Sequence, residues 1–432
     1  MYKVCALVFA LILIYQLSFS KKIENNPRPA SAHVIIKKEK GRYQLYRNGK
    51  PYFIKGAGAK THLERLKQCG GNSIRLWSTD DAEEYMDKAY KLGLTVTLGL
   101  DLNIERHGFN YDDKAAVKAQ FERIKKDILK FKDHPALLMW GIGNEADQFA
   151  NNYNVWNAVN DIAKFIHEVD PNHPTTTMLA GVPPKHIQEI VKRCPDLDIL
   201  SINAFKDLPY VKNKIFDAGW TGPYLIGEWG PSGYWETAIT PWGAFIEETS
   251  TEKARFCKER YDKAIVPNTD RCVGSYVFFW GFKQARTHTL LSLFLQSGEE
   301  TEVLDVLQKE WTGKDPINRA PEITPIRLDE KVFQYGDYVK PGSNHYASAE
   351  ATDPDKDKLT YKWEIYHESQ ETKEGGDGEA KPAAVEGLII NGEGDQLTFK
   401  APVTVGPYRL FVSVFDGHNN VATANAPFYV RK

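Results

Sequence analysis

The chain has 432 residues, 42% of them hydrophobic and 26% charged, a composition that can build large cores and excludes disorder as the main theme. Lys plus Arg total 55 against 57 for Asp plus Glu, and the net charge of −2 offers no basic field to nucleic acid or to an anionic membrane. Aromatic residues reach 12%, with 10 Trp and 21 Tyr, which raises the question of whether some line a binding surface as well as fill cores.

Lys3, an apolar run from Val4 to Tyr15 and small residues at Ser18 and Ser20 read as a secretory leader over residues 1–20, cleaved after Ser20. The run is shorter than the roughly 20 apolar residues a spanning helix needs, so no membrane span is expected in the mature chain. The expected destination is the exterior, the periplasm or the cell envelope. Cys69, Cys194, Cys257 and Cys272 remain after cleavage. Cys257 and Cys272 could pair, but four cysteines are too few for a disulfide framework. No CxxC or Cys/His cluster has zinc spacing, and neither a metal nor a cofactor is expected.

HVIIKKEKGRYQLYRNGKPYFIKG predicts a hairpin turning at Arg47-Asn48-Gly49, placed to plug the floor of a barrel. Eight short β-branched or aromatic runs then alternate with helical periodicity, at 51–58, 73–78, 94–100, 136–143, 174–180, 197–205, 223–228 and 274–281. Such repetition over roughly 250 residues predicts a (β/α)8 barrel, an α/β fold whose functional groups stand at the C-terminal strand ends. An eighth helix is expected around 299–311, then a Pro- and Gly-containing linker, TGKDPINRAP. Beyond the linker lie short alternating strands such as LTYKWEIY and YRLFVSVFDG, predicting an immunoglobulin-like β-sandwich. The expected division is 21–318 for the barrel with its hairpin and 319–432 for the sandwich. The acidic stretch HESQETKEGGDGEAKP is read as a solvated loop between sandwich strands. Asp353, Asp355 and Asp357 are read as a charged turn rather than as calcium ligands.

The fourth strand runs into Asn144-Glu145 and the seventh into Glu228-Trp229. A carboxylate that emerges from an apolar run is costly unless it is paired or used, and these two rise on opposite sides of one barrel mouth. A facing pair of carboxylates suits glycoside hydrolysis with retention, one as nucleophile and the other as acid and then base. Arg75, on the second strand, would keep a neighbouring carboxylate charged. His107, in the loop after the third strand, is offered as a contact to sugar hydroxyls.

Asn-Glu at strand four, Glu at strand seven and Trp280 at the end of strand eight together resemble the retaining glycoside hydrolases of clan A. Within that clan, the barrel followed by an immunoglobulin-like domain is similar to the endo-β-1,3-glucanases of glycoside hydrolase family 158. The resemblance implies Glu145 as acid/base, Glu228 as nucleophile, Asn144 on the sugar 2-hydroxyl and Arg75 on the nucleophile. The substrate it implies is a laminarin-type β-glucan polysaccharide or oligosaccharide. Many clan members supply a nucleophile-contacting Tyr from strand six. Here that position reads Asn203-Ala-Phe205, which leaves Tyr234 to supply the hydroxyl. Trp229, Tyr234, Trp235, Trp242 and Trp280 are expected as sugar platforms and Asn203 and Gln284 as polar contacts, while core packing accounts for Trp140 and Trp77. Rival expectations are another clan activity (a mannanase, an exo-β-glucosidase or a glucanosyltransferase) and a glycan-binding protein without catalysis.

Overall fold

The computed structural model describes residues 31–332, 337–374, 376–392 and 394–432, so the expected leader lies outside the described residues. Val34–Glu39 (β1), Arg42–Arg47 (β2) and Lys50–Tyr52 (β3) form an antiparallel three-stranded sheet. The sequence places one turn here, at Asn48-Gly49. The structure has a second at Lys40-Gly41, and both pairs take left-handed φ between +49° and +82°. Val34 and Leu45 of this sheet pack against Leu138, Ile199, Leu225 and Val273, which closes the barrel floor.

Eight strands form a closed parallel barrel: β4 (Ile54–Ala59), β5 (Ser73–Leu76), β6 (Thr95–Leu100), β7 (Leu137–Asn144), β8 (Thr175–Ala180), β9 (Ile199–Asn203), β10 (Tyr224–Trp229) and β11 (Cys272–Trp280). Every residue of β5, β6, β9 and β10 is buried, as parallel strands covered by helices require. Helices follow from apolar spacing and caps. In Lys114–Phe131, Asp113 accepts the backbone N–H groups of Ala115 and Ala116, and Ile124, Ile128 and Phe131 face inward. Full burial of Ile124 and Ile128 contributes roughly 1.5–3 kcal/mol for each side chain. Among the described residues no helix is long and apolar enough to cross a membrane.

The helix Val303–Thr312 leads into the C-terminal β-sandwich, where a five-stranded and a four-stranded sheet enclose a core around Trp363, Leu397, Phe399 and Phe428. Residues 31–432 form one compact unit. The join is hydrogen-bonded throughout: Glu300 and Val421 pair backbones, Ser250 Oγ accepts from Thr423 N at 2.9 Å, and Asp305 accepts from Ala320 N at 2.7 Å. Buried Arg409 holds Glu368 at 3.0 Å and reaches across to the carbonyl of Phe245, in the loop after β10, at 2.8 Å. Cys257 and Cys272 are buried free thiols, as are Cys69 and Cys194. In the sandwich turn, Asp353 accepts the backbone N–H groups of Asp355 and Asp357, and Asp355 pairs with Arg319. The Asp353 and Asp357 carboxylates gather with that of Asp416 within 4.8 Å.

Candidate active site

Strand β7 carries its apolar run through the barrel wall to Asn144, and the chain turns at Glu145 with φ +50°. A non-glycine residue in the left-handed region costs on the order of 1–3 kcal/mol, a strain that concentrates at functional sites. Asp147 anchors the turn by accepting the backbone N–H of Ala180 at 3.1 Å, and burial lifts its carboxyl to about 7. Glu228, near the end of β10, stands in register with Asn203 of β9 and is only 7% exposed.

Arg75 ties these ends together beneath the mouth. It is buried, donates from Nη1 to Glu228 Oε1 and to the Gly227 carbonyl, both at 2.9 Å, and from Nη2 to Asn144 Oδ1 at 2.5 Å. Asn203 Nδ2 donates to Glu145 Oε1 at 2.8 Å and to Asn144 Oδ1 at 3.2 Å. Glu145, Asn144, Asn203, Arg75 and Glu228 thus form one connected network. Burial, with the charge of Glu145 added, lifts the Glu228 carboxyl to about 7 against the opposing pull of Arg75 and the Trp77 indole.

Trp77, which sequence reasoning assigns to the core, lies beside Glu228 and lines the pocket. Its Nε1 donates to Glu228 Oε1 at 2.9 Å, and the ring fits because residue 58 is glycine: a Cβ there would stand 2.5 Å from the Trp77 ring. The available signal was strand alternation, since Arg75 and Trp77, two residues apart, share a face. The hydroxyl contact expected from Tyr234 is not made. Tyr234 OH donates to Glu374 instead, and the indole of Trp77 takes the place beside Glu228.

A pocket of about 930 Å³ opens above Glu228, lined by Trp77, Asn144, Glu145, Asn203, Phe205, Tyr234, Trp235, Phe278, Phe279 and Lys283. Trp235 is 56% exposed there. Three expected platforms lie elsewhere. Trp229 is fully buried against Tyr261, because the residue after Glu228 points to the opposite face of the strand. Trp280 is also fully buried; it donates to the His62 carbonyl and packs on Phe294 and Trp311. Trp242 packs on Tyr338 and Tyr429 of the sandwich, outside the pocket lining. Gln284 also falls outside the lining and donates to the carbonyl of Arg286. His107 faces a second basin of about 690 Å³ beside the first.

The acidic stretch expected as a solvated loop of the sandwich contributes Lys373, Glu374, Gly376, Asp377 and Glu379 to the pocket wall. Its carboxylates are drawn there by Arg286, which lies 3.4 Å from both Glu374 and Glu379, and by Arg106, 3.6 Å from Asp377. Composition alone could not reveal this, because the attracting cations lie far away in the sequence.

Residues 50–232 match the family model described as glycosyl hydrolases family 2, TIM barrel domain. A β-galactosidase of Arthrobacter sp. (strain B7) is 30% identical over 121 residues, which is 26% of this chain and 12% of that protein. A β-galactosidase of Enterobacter cloacae is 24% identical over 148 residues, 29% of this chain and 14% of that protein. The aligned stretches thus span a small fraction of these relatives. An FMN-binding β-glucuronidase from Faecalibacterium prausnitzii L2-6 superposes with a TM-score of 0.51 at 15% identity, over 92% of this chain and 59% of that one. A β-glucuronidase from Ruminococcus gnavus gives 0.50 at 14% identity, over 65% and 52%. At such identities these two likenesses speak for the fold alone. The resemblance read from the sequence is thus supported at the coarser level: the matching model is that of the family 2 glycosyl hydrolase barrel domain, and none of these comparisons supports family 158 in particular.

Proposed function

We propose that the protein is a retaining β-glycosidase in which Glu228 is the nucleophile and Glu145 the acid/base. The observation that carries the reading is the placement of Glu228 at the pocket bottom, with Arg75 and Trp77 both donating to Oε1 and neither to Oε2. Oε2 attacks the anomeric carbon while Glu145 gives its proton to the glycosidic oxygen, so that the carbon–oxygen bond to the leaving group breaks as a glycosyl ester forms. Glu145 then takes a proton from water, the water oxygen attacks the same carbon, and the ester bond breaks to restore the Glu228 carboxylate.

The related β-galactosidases make a β-galactoside the first substrate to try, with β-glucuronides and β-glucosides beside it. Internal cleavage of a laminarin-type β-1,3-glucan is the second reading; the exposed rings of Trp235 and Phe149 on the pocket lining support it as platforms for further sugars. Secretion through the leader is part of the proposal, and N-terminal sequencing of the mature protein checks it. The function itself is tested with 2-deoxy-2-fluoro-β-glycosyl fluorides of the three sugars, followed by peptide mapping. A covalent adduct on Glu228 is expected, together with loss of at least roughly 10³-fold in turnover for Glu228→Gln. An adduct on another residue, or near-normal turnover of that variant, would sink the assignment.

A further inference from the structure

The pocket and the second basin share Trp77, Asn144, Gly376 and Asp377 in their linings. Gly376 and Asp377 belong to the sandwich and the other two to the barrel mouth, so a segment from one fold stands in the middle of a depression built by the other. On the far side of that segment lie Asp101, Asn103 and His107, polar groups suited to sugar hydroxyls but separated from Glu228.

The segment is fixed at both ends. It departs after the sandwich strand Thr360–His367 and returns alongside it, His367 N donating to the Ala383 carbonyl at 3.2 Å and Val385 N to the Ile365 carbonyl at 2.8 Å. Its root rests on the barrel, where His288 packs on Tyr366 and Phe411. Its tip is latched by ion pairs and by neutral bonds: Lys283 Nζ donates to the Gly376 carbonyl at 3.1 Å and Arg106 Nη1 to the Glu374 carbonyl at 2.8 Å. The latching residues come from loops after β6 and β11, with Tyr234 after β10, so the segment overhangs the arc from β10 through β4 to β6. Glu145 rises from the other arc, where Phe149, Val182 and Lys206 line the pocket.

A leaving group has to extend toward its proton donor, here toward the arc of Glu145. Sugars on the other side of the scissile bond extend toward Trp77 and meet Gly376 and Asp377. We infer that this sandwich segment is a specificity-determining wall, which admits a single sugar beyond the scissile bond and restricts the enzyme to the non-reducing ends of β-linked chains. The inference rests on the proposed glycosidase reading and deepens it. Without the wall the two basins merge into one continuous cleft that accepts a chain passing through.

The test uses β-linked galacto- and laminari-oligosaccharides tagged at the reducing end, with aryl β-glycosides as a separate measure of turnover. The wild-type protein is expected to release monosaccharide, leaving tagged products shorter by one sugar at a time. Deletion of residues 372–380 is expected to add untagged disaccharides and longer fragments to the first products. Should the deletion unfold the protein in a thermal melt, the triple variant Arg106→Ala, Lys283→Ala, Arg286→Ala removes the side chains that make both the ion pairs and the neutral bonds of the latch, without shortening the chain, and is expected to shift the products the same way. Untagged oligosaccharides as first products of the wild type, or an unchanged pattern in a folded variant that turns over, would overturn the wall. Absence of turnover on every oligosaccharide and aryl glycoside would remove the glycosidase reading, and the wall with it.

Discussion

The indole N–H of Trp77 points at Oε1 of Glu228 across 2.9 Å, in the position where a tyrosine hydroxyl was expected. The bond favours the charged carboxylate, so its removal raises the Glu228 pKa above the value of about 7. Trp77→Phe keeps a ring in the space left by Gly58 and removes the donor. We expect kcat/KM to fall roughly 10- to 100-fold, the worth of a hydrogen bond to a charged group. The acid limb of the pH profile should move to higher pH, and a limb that stays in place would show that the bond does not tune Glu228.

Glu145 acts on Glu228 with the opposite sign, since its negative charge raises the neighbouring carboxyl. Glu145→Gln should therefore shift the acid limb to lower pH. The measurement needs an aryl glycoside whose leaving group departs without a proton, so that the lost acid does not mask the shift. Wild-type and variant limbs that coincide would argue against a close carboxylate pair.

Lys253 and Glu247 form a buried ion pair at 2.6 Å that supports the loop after β10, and Thr287 and Thr289 donate to the same carboxylate at 2.6 and 2.7 Å. Burial pushes the Glu247 carboxyl up, but Lys253 and the hydroxyl of Thr287 outweigh it and bring it down to about 2. Its stabilising contribution is full above the ordinary carboxylate value and is lost as pH falls toward 2. Lys253→Met leaves that charge uncompensated and is expected to cost about 3–5 kcal/mol in urea unfolding near neutral pH. A change below about 1 kcal/mol would contradict the pairing.

Glu302, at the start of the last barrel helix, shows the reverse linkage. Burial lifts its carboxyl to about 8, and its Oε2 has no hydrogen-bond partner among the described residues. The folded state holds this proton more tightly than the unfolded chain does. The stability so gained is complete below the ordinary value of 4.5 and disappears as pH rises through about 8. Glu302→Gln should raise Tm at pH 9 and change it little at pH 5; equal shifts at both pH values would exclude titration of this group.

Barrel strands were readable because each couples a dense apolar run to a turn, and the observed Thr175–Ala180 and Thr95–Leu100 differ from the expected bounds by one residue. The network around Glu228 was partly legible for the same reason: strand ends of a barrel converge whatever their spacing in sequence. Trp229 and Trp280 were misplaced because being near a strand end does not give the face, which alternates residue by residue. The wall was illegible at the level of composition. Glu374 and Asp377 look solvated until the fold brings Arg286 and Arg106 to them, and nothing local to HESQETKEGGDGEAKP encodes that meeting.

Arg409 carries a further consequence. Its guanidinium is anchored in the sandwich by Glu368 and satisfies a carbonyl of the barrel's own loop at Phe245. The chain thereby forgoes the freedom that tethered accessory modules enjoy. A gene shortened at the linker would encode a barrel with an orphaned carbonyl, an uncovered rim and no barrier above Trp77. On the proposed reading, exchange of the C-terminal portion between relatives would alter where a sugar chain is cut.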